Sequence, residues 1–134
     1  MPLLHVTVSG KQNAALAKEI AQQIGVLTKD ILRKRSEVTV VTVTFIPDEL
    51  WFVNQESLAE LNRQSFHLSI KFSESTNLKD DKARFIEAVH HTMVGLLQNM
   101  HPVSYTTIEE QRADAYGYEG LTIEHKIISN RIKQ

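Results

Sequence analysis

Pro2, directly after Met1, is the residue of this sequence with the clearest chemical potential, because only proline supplies a secondary amine at a chain terminus. Removal of Met1 would leave Pro2 with a free α-amino group, whose ordinary pKa is about 7.7–8. Burial in an apolar cleft would lower that pKa, since desolvation disfavours the charged form. A neutral amine can accept a proton as a general base and return it as a general acid. A retained Met1 would convert the amine into an amide and abolish this chemistry.

The residues after Pro2 predict a strand, a helix and a second strand. Leu4, Val6 and Val8 alternate with other residues as in a half-buried strand. Apolar residues then recur at three- and four-residue spacing from position 14 to about position 35, which is typical of one face of a long helix. A β-branched strand follows over 38–46.

The second half repeats this order, with a strand over 66–72, a helix from 78 to about 100 and a strand over 103–108. A shift of about 65 residues superposes the two halves by pattern, which favours a tandem duplication of a βαβ unit. Right-handed βαβ units predict a four-stranded sheet with both helices on one face. We interpret Val40, Val41 and Val43 as apolar residues on both faces of the sheet, and therefore expect an obligate oligomer.

Composition limits the partners that this chain can have. The 134 residues suit one domain, with repeat one at about 2–60, repeat two at about 65–124 and a C-terminal arm over 123–134. With 15 basic and 16 acidic residues, charge gives no reason to expect nucleic acid or an anionic membrane as partner. The absence of cysteine excludes disulfides and thiolate chemistry. Without a signal peptide or an apolar run of ~20 residues, we expect a cytoplasmic protein.

Three segments carry a resemblance to the tautomerase superfamily, which includes 4-oxalocrotonate tautomerase, macrophage migration inhibitory factor and cis-3-chloroacrylic acid dehalogenase. The segment 2–8 looks like the family's opening strand, and 46–51 is similar to the segment after its second strand. The segment 109–117, with its Tyr116-Gly117 pair, is similar to the same segment in the second repeat. The resemblance implies an α+β protomer, β-α-β-β-α-β, assembled as a homotrimer with three active sites. It further implies an amino-terminal proline as acid, base or nucleophile on small 2-oxo or acrylic acids, without metal or organic cofactor.

The resemblance also suggests residues that bind substrate, although the usual arginines are missing. Many members carry an arginine just after the first strand, where this chain has Lys11, and a second one would fall near Val40. Lysine is a point charge, whereas arginine grips a carboxylate with two parallel hydrogen bonds. Arg35 is a further candidate, because the inhibitory-factor branch has a lysine near that point. Its neighbour Lys34 is expected on a solvated face at the C-terminus of the first helix.

Aromatic residues are the other candidates. Trp51 and Tyr116 occupy equivalent places in the two repeats and are interpreted either as walls of the active site or as aromatics of a subunit interface. Tyr116 could in addition polarise a carbonyl as a catalytic residue. Tyr105, within the last strand, is a candidate for substrate binding, with a packing role as the alternative.

These residues lead to three functional hypotheses. The first is a cofactor-independent isomerase, a keto–enol tautomerase, that uses Pro2 as general acid and base on small 2-oxo acids, with Lys11 or Arg35 stabilising negative charge. The second, favoured by the missing arginines, is a catalytically weak trimeric scaffold or binding protein. The third is a dehalogenase or hydratase of acrylic-type acids, in which Asp114 would activate water.

Overall fold

Two βαβ units form the body of the protein in a computed structural model, which describes residues 2–133. In chain order, the elements are β1 (Leu3–Ser9), α1 (Ala14–Asp30), β2 (Val40–Ile46), β3 (Phe52–Val53), β4 (Glu56–Ser57), α2 (Leu58–Leu61), β5 (Phe66–Ser73), α3 (Lys79–Leu96), β6 (Tyr105–Gln111), β7 (Gly117–Tyr118), β8 (Leu121–Thr122) and α4 (Ile123–Lys133). Short 3₁₀ helices cover Ser36–Val38 and Asp48–Leu50.

The main sheet has four strands in the order β2-β1-β5-β6. β1 runs parallel to β2, and β5 runs parallel to β6, as each βαβ unit requires. The two units meet through β1 and β5, which are antiparallel. β2 and β6 are therefore the edge strands. The α+β architecture that the sequence predicts, a tandem βαβ repeat with one four-stranded sheet, is confirmed.

The hydrophobic core lies between the sheet and the two long helices. Even-numbered residues of the central strands point toward the helices, and the predicted apolar stripes of α1 and α3 meet them there. Fully buried members of this core are Leu4, Val6, Val8, Ile20, Ile24, Leu68, Ile70, Phe72, Phe85, Val89 and Met93.

The duplication extends beyond the predicted strands and helices. Phe52 and Gly117 begin two short hairpins that lie 65 positions apart, and a helix follows each hairpin, at Leu58 and at Ile123. The C-terminal segment is thus the second repeat's copy of α2, lengthened from 4 to 11 residues. The C-terminal arm predicted over 123–134 is helical over Ile123–Lys133.

Helix α1 ends at Asp30, short of the predicted end near position 35. The backbone of Arg33 is left-handed, with φ of 58°, which turns the chain away from the helix axis. The Arg33 guanidinium donates to the Asp81 carboxylate at 2.8 Å. Asp81 also accepts the backbone N–H of Leu78 at 3.2 Å, which caps the start of α3. The bond from Arg33, followed by that from Leu78, holds the pKa of the Asp81 carboxyl well below its ordinary value.

The sheet face away from the helices is mostly polar, contrary to the prediction of apolar residues on both faces. Val41 and Val43 both lie on the helix side, in register with Leu4 and Val6. The open face carries chiefly His5, Thr7, Thr42, Thr44, His67, Ser69, Lys71, Thr107 and Glu109. Its exposed apolar residues are confined to strand ends, where Leu3 is 46% and Val40 50% exposed. The argument from an apolar open face therefore does not support oligomerisation.

Over residues 2–133, none of the helices combines the length and apolar character needed to span a membrane.

Candidate functional site

Sheet topology decides which segments gather around Pro2. Because β2 is parallel to β1, the segment that precedes β2 lies at the same end of the sheet as the start of β1. β5 and β6 are parallel to each other, and β5 is antiparallel to β1. The segment after β6 therefore also lies at the end of the sheet where β1 begins. The sequence therefore brings the 3₁₀ helix Ser36–Val38 and the β7–β8 hairpin together at Pro2.

These segments enclose a cleft of about 490 Å³. Pro2 is buried at its base, and the Pro2 carbonyl accepts the backbone N–H of Val40 at 3.2 Å. The residues that line the cleft are Pro2, Leu3, Glu37, Val38, Val40, Tyr116, Gly117, Tyr118 and Glu119. Pro2 thus lies among aliphatic and aromatic side chains, which favour a neutral amine, and shares the cleft with Glu37 and Glu119, whose charge favours the protonated form.

The β7–β8 hairpin supplies the aromatic wall. Glu119 and Gly120, the two residues of its turn, both have left-handed backbone with φ of 59° and 76°. Two such residues form the tight turn whose twist matches that of a hairpin, and glycine is favoured there. The turn orients Tyr118 and Glu119 into the cleft, next to Tyr116.

Tyr116 is half-buried, and its hydroxyl lies 2.9 Å from the Ser73 hydroxyl. Burial raises the pKa of the Tyr116 phenol above its ordinary value, and the hydrogen bond to Ser73 offsets only part of this rise. The phenol is therefore protonated at neutral pH. It can donate a hydrogen bond to a carbonyl or enolate oxygen in the cleft.

The charged residues that line the cleft are two glutamates, and each has a basic partner. Glu37 accepts from the Arg35 guanidinium at 2.8 Å, and Glu119 lies 2.9 Å from the Lys126 ammonium. The Lys126 ammonium also lies 3.9 Å from the centre of the Tyr118 ring, a cation–π contact. The two basic partners line a second pocket, of about 320 Å³, on the other side of Tyr118.

Lys34 is half-buried beyond the end of α1 and does not lie on a solvated helix face, so that expectation is wrong. Its ammonium donates to the Thr76 hydroxyl at 2.8 Å and lies 4.4 Å from the centre of the Phe72 ring. Leu3 is paired with Lys71, and the same register continued by one residue sets Pro2 opposite Phe72. Burial, with a smaller contribution from the charge of Arg33, lowers the pKa of Lys34 to about 8.

This lowered pKa gives a prediction for Lys34→Met. An unfolded lysine has a pKa of about 10.4, so between about pH 8 and pH 10.4 the unfolded chain binds more protons than the folded one. The free energy of unfolding of the wild-type protein should therefore rise with pH through this window. Below the window the partly buried ammonium of Lys34 lowers it. The melting temperature of Lys34→Met should exceed that of wild type by the largest amount near pH 7. This difference should become smaller by pH 10.5.

Thermal unfolding by circular dichroism at the two pH values measures this difference. Lys18→Met, on the exposed face of α1, is the matched control and should show a difference that does not vary with pH. A pH-independent effect of Lys34→Met would contradict the prediction.

Three of the predicted substrate-binding residues lie at the other end of the sheet. Lys11 follows the C-terminal end of β1, and Trp51 follows that of β2. Tyr105, the first residue of β6, is paired with His67 near the start of β5. The centres of the Trp51 and His67 rings are 5.5 Å apart. Seven residues of strand at ~3.3 Å each separate this end from Pro2. Within one chain, these three residues do not reach the cleft.

Asp114, the candidate water-activating residue, is held by Arg112 through two contacts of 3.1 Å. This pairing lowers the pKa of the Asp114 carboxyl and makes it a weaker base. Asp114 is also absent from the lining of the Pro2 cleft. The geometry does not favour the hydratase hypothesis.

The structure also adds residues that the sequence analysis did not single out. Glu37 and Tyr118 line the cleft with Glu119, while Lys126 supports the wall from α4. A signal for the hairpin was present in Glu119-Gly120, a turn dipeptide after Tyr116-Gly117.

Solved structures show which fold this chain shares. Pt0534, in a structure inactivated by 2-oxo-3-pentynoate, has a TM-score of 0.80 at 10% identity, with 92% of this chain and 98% of that chain covered. A wild-type fused 4-OT, a symmetric trimer, has a TM-score of 0.77 at 12% identity, over 91% and 96% of the two chains. A macrophage migration inhibitory factor-like protein from Entamoeba histolytica has a TM-score of 0.74 at 17% identity, over 90% and 97%.

No protein-family model and no curated protein matches the sequence itself. The likeness to solved structures confirms the predicted resemblance at the level of fold, since the chain shares the fold of Pt0534 and of the fused 4-OT over nearly its whole length. A fold of this kind carries several chemistries, so the function must be argued from the cleft.

Proposed function

We propose that this protein is a keto–enol tautomerase that uses the amino group of Pro2 as general base and general acid on small 2-oxo acids. The observation that carries the proposal is the burial of Pro2 in a cleft with the protonated phenol of Tyr116. A buried amine is neutral more readily than an exposed one, and a phenol of raised pKa remains a hydrogen-bond donor.

In the proposed reaction, the Pro2 nitrogen takes a proton from the carbon next to the substrate carbonyl. Negative charge then moves to the carbonyl oxygen, where Tyr116 donates a hydrogen bond to the developing enolate. The protonated amine returns the proton to oxygen or to another carbon of the conjugated system. Such a cycle leaves Pro2 unchanged and requires no group beyond those in the cleft.

Of the predicted substrate-binding cations, Arg35 lies at the Pro2 end of the sheet, although its guanidinium is paired with Glu37 and lines the neighbouring pocket. Arg35 lies next to the cleft through its contact with Glu37, at 2.8 Å. Lys11 could serve the cleft only from a neighbouring copy, because it lies at the far end of β1 in its own chain. We therefore propose a homotrimer with sites near subunit boundaries, in keeping with the trimeric fused 4-OT of the same fold. A monomeric mass by light scattering at micromolar concentration would contradict it.

A covalent probe tests the role of Pro2 without knowledge of the natural substrate. 2-Oxo-3-pentynoate, the compound that inactivated Pt0534, carries an alkyne conjugated to a carbonyl and so accepts a neutral amine. Addition of the amine N–H across the triple bond forms an N–C bond and moves the proton to carbon, so the protein should gain the full mass of one probe molecule. Peptide mass spectrometry is expected to locate this mass on Pro2.

The matched control is Lys34→Met, which removes a primary amine of lowered pKa and should leave labelling of Pro2 in place. Labelling on lysine side chains alone, with Pro2 unmodified in chains that have lost Met1, would refute the proposal. Such a result would favour the scaffold hypothesis.

A further inference from the structure

The Pro2 cleft contains charges of one sign. Glu37 and Glu119 line it together with aliphatic, aromatic and glycine residues, and no lysine or arginine of the described chain is among the lining residues. Both carboxylates belong to exposed residues at the mouth, on segments that come from opposite halves of the chain.

The basic partners of these carboxylates face another space. Arg35 and Lys126 line the neighbouring pocket with His125, and Tyr118 separates that pocket from the cleft. In each ion pair the glutamate therefore lines the cleft and the cation lines the second pocket, with the two charges 2.8 and 2.9 Å apart.

Carboxylates of this kind penalise an anion that enters the cleft. The interaction of two like charges a few ångströms apart is unfavourable, and it is modest here because the Glu37 and Glu119 side chains are 63% and 72% exposed to water. Specificity often rests on such a repulsive element as much as on attractive contacts. A substrate with two carboxylates would bring at least one of them to the mouth of the cleft.

We propose that Glu37 and Glu119 determine specificity by disfavouring a second carboxylate, so that among 2-oxo acids the cleft prefers monoacids to diacids. An ester, in which the remaining carboxylate is uncharged, should be disfavoured least. This inference rests on the proposed function, because it concerns the substrate that Pro2 tautomerises.

The test compares three probes of one reaction: the methyl ester of phenylenolpyruvate, phenylenolpyruvate itself and the diacid 2-hydroxymuconate. Wild-type protein should show kcat/KM in the order ester, monoacid, diacid. Glu37→Gln and Glu119→Gln should each raise the diacid-to-ester ratio of kcat/KM by up to about fivefold, since each removes one like charge that is exposed to water. Higher salt should reduce the difference in kcat/KM between ester and diacid for the wild-type protein, because it screens charges at the exposed mouth of the cleft.

Two further variants make the outcome specific to these positions. Lys126→Met leaves Glu119 unpaired and should lower the diacid-to-ester ratio, the opposite direction from Glu119→Gln. Glu49→Gln, an exposed glutamate at the other end of the sheet, should leave the ratio unchanged. A wild-type preference for the diacid, or a ratio that Glu37→Gln and Glu119→Gln leave unaltered, would overturn the inference. Failure of all three probes to react would instead refute the proposed function.

Discussion

A chain that keeps a residue in front of Pro2 is expected to lose between about a hundredfold and ten-thousandfold of kcat/KM, the range that a general base contributes. Insertion of a lysine between Met1 and Pro2 produces such a chain, in which the Pro2 nitrogen is part of an amide. An amide nitrogen has no basic lone pair, so the proton cannot leave the substrate by this route. Rates of ketonisation of phenylenolpyruvate, on protein whose N-terminus is verified by intact mass, measure the loss.

Pro2→Ala provides the comparison, because it retains a free amine of similar basicity at the same position. It should keep more activity than the extended chain, although a primary amine lacks the fixed ring of proline. Light scattering on all forms should return the same assembly, which excludes dissociation as the cause. Equal rates for the processed and the extended protein would show that Pro2 is not the base.

The fold was predictable because its signals are local. Alternation over β1 and three- and four-residue spacing over α1 each set one face toward the core, and the same two patterns recur after about 65 residues. The end of α1 was less predictable. Its early stop depends on the left-handed backbone of Arg33 and on the ion pair with Asp81, which lies 48 residues further along the chain.

The site was predictable only in part, because equivalence between the two repeats does not indicate which residues lie at the same end of the sheet. Trp51 and Tyr116 are equivalent under the 65-residue shift, and both were predicted as active-site walls or interface aromatics, with a catalytic role in addition for Tyr116. The central pair β1 and β5 is antiparallel, so equivalent positions of the two repeats lie at opposite ends of the sheet. Tyr116 therefore meets Pro2, whereas Trp51 packs on His67.

The environment of Lys34 could not have been predicted from the basic run 33–35 alone. A helix C-terminus explains basic residues in general terms, through the macrodipole. Here the helix ends before the run begins, and each basic residue has a different surrounding. Arg33 pairs with Asp81, Lys34 lies over Phe72, and Arg35 pairs with Glu37. The contacts of Arg33 and Lys34 join segments far apart in the chain, which a pattern within one helix does not report.

Tyr116→Phe tests the second component of the proposed site and should lower kcat on the order of a hundredfold, the effect of removing one hydrogen-bond donor to a developing oxyanion. The substitution keeps the ring and deletes only the hydroxyl that lies 2.9 Å from Ser73. KM should change little, because the bond to an enolate oxygen is strongest in the transition state.

Tyr118→Phe is the matched comparison, since the same atom is deleted from the neighbouring wall of the same cleft. The role of Tyr118 lies in its ring, over which the Lys126 ammonium is positioned at 3.9 Å, and phenylalanine preserves that face. We expect Tyr118→Phe to lose less than about tenfold in kcat, so the two variants should differ by at least one power of ten. Equal losses would assign both tyrosines to the packing of the cleft, and the enolate would then need another donor. The backbone N–H groups of the hairpin, beginning with that of Gly117, would be the first to examine, because Gly117 lines the cleft beside Tyr116.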